Sequence, residues 1–433
     1  MTSPKVNLGF LFDAPLCRRG GSLSVAKISV ERLHTGWTPF RSRKKGNDML
    51  LRLVIFLLVF STFYAVFHAY AYVKVRGALS LSTSANALVI IFMLVMIFLP
   101  ISVRMLERLG MEVVPRALAH IAYMWMGILL LFVVVSLAID IGRLIIHFGG
   151  VLLHQDFSRI TASPRHAFLA ALCLSLLITV YGVFEAIHIR TEYITIKTPK
   201  IPESVGRLKI AQISDVHLGL IVREGRLNRI IKAVKDENPD ILISTGDLVD
   251  GQIDDLGGLA GMLGEVRTPY GKFAVTGNHE FYAGIDRSLA FTDEAGFHIL
   301  RGEARVIPGL INIAGVDDRA GERLEAAKVV SEKEVLSSLP TERFTILLKH
   351  RPVVDEQAIG LFDLQLSGHA HKGQIFPASL IVKALYPIDA GFLNLGHGSY
   401  LYVNRGSGTW GPPIRFLASP EVTVIELVHE PDS

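Results

Sequence analysis

Cysteine is nearly absent from this chain, with Cys17 and Cys173 the only two in 433 residues. That excludes a disulfide framework and a cysteine-based zinc site, and Cys173 lies in an apolar run where a thiol behaves as a small hydrophobe. The excess of either charge is small too. The net charge of +4 is mild, and the basic residues crowd the first 52 positions, ten Lys or Arg against three acids. A positive tail beside a membrane accounts for this better than a nucleic-acid surface, so no nucleic-acid partner is expected. Most telling is what four stretches lack. Residues 53–72, 85–103, 121–139 and 167–184 contain no Lys, Arg, Asp or Glu at all.

What those stretches do contain is apolar, and almost all of the excess in a hydrophobic content of 50% lies between Leu50 and Ile189. Each is about 18–20 residues long, enough to cross roughly 30 Å of hydrocarbon as a helix. Four such runs joined by short basic connections predict a multi-pass region over 53–189. It follows the basic tail of 1–52 and precedes a linker of 190–207 and a second domain of 208–433. A signal peptide does not fit a first run that starts about fifty residues in and is followed by three more. Arg18-Arg19 is not followed closely by an apolar stretch, so it is not a twin-arginine export signal. The segment "MLLRLVIFLL" from Met49 reads as an alternative start of the membrane anchor.

Orientation follows from the Lys and Arg of the short connections. The tail, Arg104, Arg108, Arg116 and the group Arg190, Lys197, Lys200 and Arg207 fall on one side. Lys74, Arg76, Arg143, Arg159 and Arg165 fall on the other. The excess places both the N-terminus and the C-terminal domain on the cytoplasmic face of the cell (inner) membrane, and a start at Met49 weakens that excess. Asp140, Arg143 and Glu185 near the span ends read as interhelical pairs or snorkelling groups, with a transport pathway as the alternative.

After residue 198 the texture changes. Short apolar, β-branched segments at 208–214, 241–245, 272–276, 311–315, 344–350 and 362–368 predict strands. Between the first two, Leu227, Ile230, Ile231 and Val234 recur at helical spacing over 224–238, and Pro239 ends that helix. The glycine-rich "LGGLAGMLG" at 256–264 lacks the strand-to-helix setting of a dinucleotide fingerprint and reads as helix and turn. Strands alternating with helices predict an α/β domain whose site lies in loops at the carboxyl ends of strands.

Polar residues accumulate at those ends. Asp215-Val216-His217 follows the first strand, Gly246-Asp247-Leu248-Val249-Asp250 the second, and Gly277-Asn278-His279-Glu280 the third. Later strands end in His350 and in Gly368-His369-Ala370-His371. In extended backbone, residues two apart point to one face, so Asp215/His217 and His369/His371 are each expected to converge. Gly246, Gly277 and Gly368 permit sharp turns and close backbone approach. Carboxylate, imidazole and amide oxygen without thiolate is a donor set for Mn, Fe or Zn. Asp247 stands out, because a carboxylate can bridge two cations about 3.5–4 Å apart. His298, His397 and His429 match none of these clusters and read as structural.

The order DxH, GDxxD, GNHE, H, GHxH resembles the calcineurin-like metallophosphoesterase superfamily. The ending "YVNRGSGTWGPPIRFLASPEVTVIEL" resembles its YkuE-type, membrane-anchored branch. The resemblance covers about residues 208–427. It implies an α/β domain built as a β-sandwich flanked by helices, here preceded by a four-helix transmembrane region. It also implies two divalent transition-metal ions and hydrolysis of a phosphoester or pyrophosphate bond by a metal-bound hydroxide. By motif, Asp215, His217 and His371 hold one ion, Asn278, His350 and His369 the other, and Asp247 bridges them. His279 is the implied catalytic imidazole and Asp250 its orienting partner, while Glu280 fixes the loop.

Lys349, Arg351 and Lys372 flank the ligand histidines and are candidate contacts for anionic substrate groups, although many members of the branch have glycine where Lys372 stands. The implied partner is a phosphate-ester substrate, with a lipid or nucleotide-linked lipid suggested by the membrane anchor. Two alternatives stand beside the phosphoesterase. One is a pyrophosphohydrolase similar to UDP-diacylglucosamine hydrolases. The other is a non-catalytic membrane scaffold or sensor, which the loss of a ligand would mark; none is missing.

Overall fold

The computed structural model describes residues 40–157, 160–251, 256, 258–324, 326–327 and 330–431. Most of the basic tail, including Cys17 and Arg18-Arg19, lies outside the described residues, as do Arg159 and Gly257. The chain divides into two compact units, 1–70 and 71–433. Each charge-free run lies within one long helix: α1 (Phe40–Ala78), α2 (Thr83–Arg108), α3 (Val113–Leu153) and α4 (Pro164–Ile187). All four are long and apolar enough to cross a membrane. Ser82 and Ser163 cap α2 and α4 through their side chains, and Pro164 opens α4 where its missing N–H costs nothing. The span-end charges find partners: Asp140 pairs with Lys74, and Glu185 with Arg190 at 2.8 Å.

From α4 the chain passes into strand β1 (Arg190–Thr198). There follow β2 (Arg207–Ile213), α5 (Glu224–Glu237), β3 (Ile241–Ser244), α6 (Leu259–Gly264), β4 (Lys272–Ala274), α7 (Asn278–Ala283) and α8 (Ile285–Glu294). Next come β5 (His298–Ile299), β6 (Glu303–Val306), β7 (Ile311–Gly315), α9 (Ala320–Arg323), α10 (Glu332–Leu336), β8 (Phe344–Leu348) and β9 (Leu364–Ser367). The chain closes with α11 (Ala378–Leu385), β10 (Gly391–Gly396), β11 (Ser399–Val403) and β12 (Glu421–His429). The expected linker of 190–207 is thus corrected. Its first half is β1, paired in parallel with β12 from Arg190↔Glu421 to Thr198↔His429, because its alternating residues need a neighbour for their backbone groups.

The strands form two six-stranded sheets, β1-β12-β2-β3-β4-β5 and β10-β11-β9-β8-β7-β6. They face each other across a core that includes Ile210, Ile243, Phe273, Ile313, Ile346 and Ile425. The outer face of the first sheet packs Ile213 and Leu242 against Leu227 and Ile230 of α5. The outer face of the second packs Ala314 and Leu347 against Val335 and Leu336 of α10. Parallel strands buried on both faces explain the unbroken apolar runs. The result is the expected sandwich flanked by helices, with the ends of β2, β3, β4, β8 and β9 carrying the polar turns.

The loop from β11 to β12 crosses those turns and continues to α3 and α4. Ser407 and Gly408 donate main-chain N–H groups to Ser214 and Asp215, at 2.7 and 3.0 Å. Farther on, Ile414 fills the space left by Gly127 of α3 and Gly182 of α4. A Cβ at those glycines would lie 2.6 and 2.4 Å from Ile414 carbons. The Arg415 N–H donates to the Gly182 carbonyl at 2.9 Å.

Candidate metal centre

The turns after β2 and β3 are laced together by main-chain bonds. Asp215 N–H donates to the Gly246 carbonyl and His217 N–H to that of Asp247, both at 3.0 Å. Asp215, His217, Asp247, His369 and His371 all adopt left-handed backbone, with φ between 46° and 68°. The expected convergence therefore occurs for Asp215 and His217, through strained turns rather than extended strand, whereas His369 and His371 part to different triads. Such conformations cost of order 1–3 kcal/mol each and persist where the surroundings over-determine them. The glycines bring these turns together. A Cβ on Gly246 would lie 2.6 Å from Gly277 N, and one on Gly277 would lie 2.2 Å from Asp247 Oδ1.

Glu280 clamps the loop. Its carboxylate accepts from the N–H groups of Gly277 at 2.6 Å, Asp247 at 3.0 Å and Leu248 at 2.7 Å. Asp247 Oδ1 in turn accepts from the His279 N–H at 2.8 Å.

Two triads result, Asp215–His217–His371 and Asp247–His350–His369, each with its ligand atoms within 4.8 Å of one another. A third group, His217–Asp247–His279, joins them. The Nε2 atoms of His217 and His371 face each other at 3.0 Å, and His350 Nε2 lies 3.1 Å from both His369 Nδ1 and Asp247 Oδ2. His350 Nδ1 donates to the Thr245 carbonyl at 2.8 Å, which leaves Nε2 as the ligating atom.

These residues fit cations. Asn278 Oδ1 is buried without a hydrogen-bond partner. Burial, with His279 beside it, pushes His217 down to about 3. Burial, with Arg351 and Arg415 respectively, holds His369 and His371 well below the usual imidazole range, so their lone pairs are free. Burial opposes charge on His350, yet Asp247 raises it to about 10. A buried carboxylate cluster that draws a proton onto an imidazole is short of positive charge.

His279 Nδ1 lies 2.9 Å from Asp250 Oδ1 and 3.0 Å from the Asp250 carbonyl. Burial opposes its protonation, but Asp247 and Asp250 raise it to about 9. Burial likewise opposes charge on Asp250, and Arg104 and His279 outweigh it, holding the carboxyl below the usual range. Arg104 comes from α2: its guanidinium reaches Asp250 Oδ2 at 3.3 Å and Glu107 at 3.0 Å. The sequence reading used Arg104 only for orientation. Trp410 was missed as well, and its ring centroid lies 5.9 Å from that of His279. So was Arg415, fully buried behind His371 with a nitrogen 3.0 Å from Nδ1.

The three candidate substrate contacts fare differently. Lys349 is buried and ion-paired with Glu332 of α10, which gives it an internal partner rather than an open face. Arg351 donates to Asp318 at 2.7 Å and hydrogen-bonds Tyr386, whose ring edges onto that of His369 at 5.9 Å. Lys372 is half-buried in left-handed backbone, φ 51°, directly after His371. His429 Nδ1 donates to the Ile201 carbonyl at 2.6 Å, and His298 accepts from Arg305 at 2.7 Å; neither enters the centre.

Residues 208–373 match the calcineurin-like phosphoesterase family. An uncharacterized metallophosphoesterase of Aquifex aeolicus (strain VF5) is 43% identical over 255 residues, which is 59% of this chain and 97% of that one. A transmembrane protein with metallophosphoesterase domain from Danio rerio is 31% identical over 59% of this chain and 62% of its own length. The uncharacterized metallophosphoesterase YkuE of Bacillus subtilis (strain 168) is 31% identical over 55% of this chain and 85% of its own.

Proposed function

Because the chain belongs to the calcineurin-like metallophosphoesterase family, we propose that it is a membrane-anchored, dinuclear-metal hydrolase of a phosphoester or pyrophosphate bond. The observation that carries the two-ion reading is the position of Asp247 between the triads. Its Oδ2 lies 3.1 Å from His350 of one and 3.9 Å from His217 of the other. Asp215, His217 and His371 would hold one ion, Asn278, His350 and His369 the second, with Asp247 shared. When bound, two Mn, Fe or Zn ions supply activation of water near neutral pH and neutralise phosphoryl oxygens.

The chain's own residues do the rest. Asp250 and Arg104 hold the His279 ring by Nδ1, which leaves its other nitrogen to serve the substrate. Protonated near neutral pH, His279 gives its proton to the leaving oxygen as the P–O bond breaks. Glu280 keeps the turn that presents it rigid. Every ligand position of the motif is filled, which supports an enzyme over a scaffold. The basic connections support a cytoplasmic placement of the domain at the cell membrane.

The test is a screen of full-length protein in lipid nanodiscs, stripped of metal and reloaded with Mn²⁺, against phosphomonoesters, diesters and nucleotide-linked lipids. Hydrolysis that disappears in Asp247→Asn supports the reading. An unreactive wild-type protein, or an Asp247→Asn variant of equal activity, overturns it.

A further inference from the structure

An apolar rim lies beside the metal centre. Helix α11 begins shortly after His371 and has no buried residue; Leu380 is 59% exposed and Ile381 47%. Phe376 and Leu417 follow directly on the bridged pair Ile375↔Phe416 and are exposed too. Trp410, 53% exposed, is tied to the same segment by Gln374, which donates to its carbonyl at 2.8 Å and accepts from its N–H at 2.9 Å. Five large apolar groups exposed along these linked segments beside the centre are an interaction surface rather than scattered residues.

What covers this surface follows from where its other side is seated. Ile414 packs between Gly127 and Gly182, and Phe416 stands edge-on to Tyr181 with centroids 6.2 Å apart. Their neighbours Leu130, Leu131, Ile178 and Val183 all belong to the charge-free runs 121–139 and 167–184. At 1.5 Å per residue, Gly182 lies about 3 Å and Gly127 about 9 Å inside its run. The segment therefore docks against the membrane-crossing lengths themselves. A bilayer around those lengths would bring its surface to the neighbouring exposed side chains.

We propose that α11, Phe376, Trp410 and Leu417 form a mouth of the metal centre seated in the bilayer surface, and that the substrate is a membrane-resident amphiphile bearing a phosphate ester. The substrate class rests on the phosphoesterase reading above; the membrane seat does not. The hydrocarbon chains stay in the lipid while the phosphate passes Trp410 to reach His279. Water adds to phosphorus, the ester P–O bond breaks, and the proton ends on the lipid alcohol oxygen. The alcohol remains in the bilayer and phosphate leaves into water.

Two measurements test it. In full-length protein carrying Trp37→Phe and Trp125→Phe, Trp410 is the sole indole. In vesicles of phosphatidylcholine brominated high on the acyl chains its fluorescence should be quenched, and more than by bromines near the chain ends. An unquenched Trp410 overturns the membrane seat. In the second measurement, Leu380→Glu with Ile381→Glu should slow hydrolysis of long-chain phosphatidate in vesicles by about tenfold or more, and leave soluble nitrophenyl phosphate within about twofold. Equal rates on both substrates relative to wild type overturn the amphiphile. A wild-type protein that hydrolyses neither ester while Trp410 is quenched sinks the phosphoesterase reading and upholds the seat.

Discussion

Arg104 belongs to α2, a candidate membrane span, yet its guanidinium ends on Asp250, the residue that holds the His279 ring. Its guanidinium lies 3.3 Å from Asp250 Oδ2, and Asp250 Oδ1 lies 2.9 Å from His279 Nδ1. At that separation two unit charges are worth about 5 kcal/mol at an effective dielectric of about 20 and about 1.3 kcal/mol at about 80. The Arg104 side chain is 38% exposed, so solvent screening places the pair near the lower value. Arg104→Leu should therefore lower turnover of a slow leaving group such as phenolate by about tenfold, since about 1.4 kcal/mol is a factor of ten. Nitrophenolate release should fall less, and Arg104→Lys should retain most activity.

The assay is phenolate release by full-length protein in nanodiscs, combined with Asp250→Asn in a double-mutant cycle. Two side chains acting through one ring should give losses that do not add. Full additivity, or an Arg104→Leu enzyme as fast as wild type, would refute the reasoning. A fragment beginning at residue 198 would lack both Arg104 and most of β1, so it should be slower than the intact chain.

His279→Ala should reduce turnover of a poor leaving group by about 10²–10⁴-fold while elemental analysis shows unchanged metal content; loss of an ion would recast the imidazole as a ligand. Ile414→Ala, which empties the contact between Gly127 and Gly182, should destabilise the protein by about 2–5 kcal/mol in thermal unfolding. Gly182→Val should act in the same direction, because its Cβ would meet Ile414 at 2.4 Å. An unchanged melting temperature in both variants would show that this contact is not a support. A reporter fused after Ser433 should be active only in the cytoplasm, and activity of a periplasmic reporter there would invert the loop assignment.

The ligand motifs were legible because each sits at the end of a buried parallel strand, where an apolar run stops abruptly at Asp, Asn or His. The α/β character followed from the same runs, and the sandwich from the resemblance to the family. What the residues do not spell out is backbone handedness: Asp215 and His217 converge in left-handed turns, although the pattern alone is that of an extended pair. β1 alternates recognisably in "RTEYITIKT", but its partner β12 stands at the far end of the chain, so the segment read as a linker. Arg104 lies 146 residues before Asp250, in a basic connection whose charges speak to orientation as readily as to a site. Lys349 flanks His350 in sequence, and only the packing of α10 shows that Glu332 claims it. Local chemistry reads from spacing; partners supplied by distant elements do not.

The most direct test of a two-ion phosphoesterase is a metal titration of stripped, full-length protein in nanodiscs, following bound metal and nitrophenyl phosphate hydrolysis together. Asp247 faces both triads, so activity should rise to saturation only as the second ion binds, and Asp247→Asn should lose both occupancy and turnover. Saturation at a single ion, or Asp247→Asn protein that binds and hydrolyses as wild type does, would contradict it.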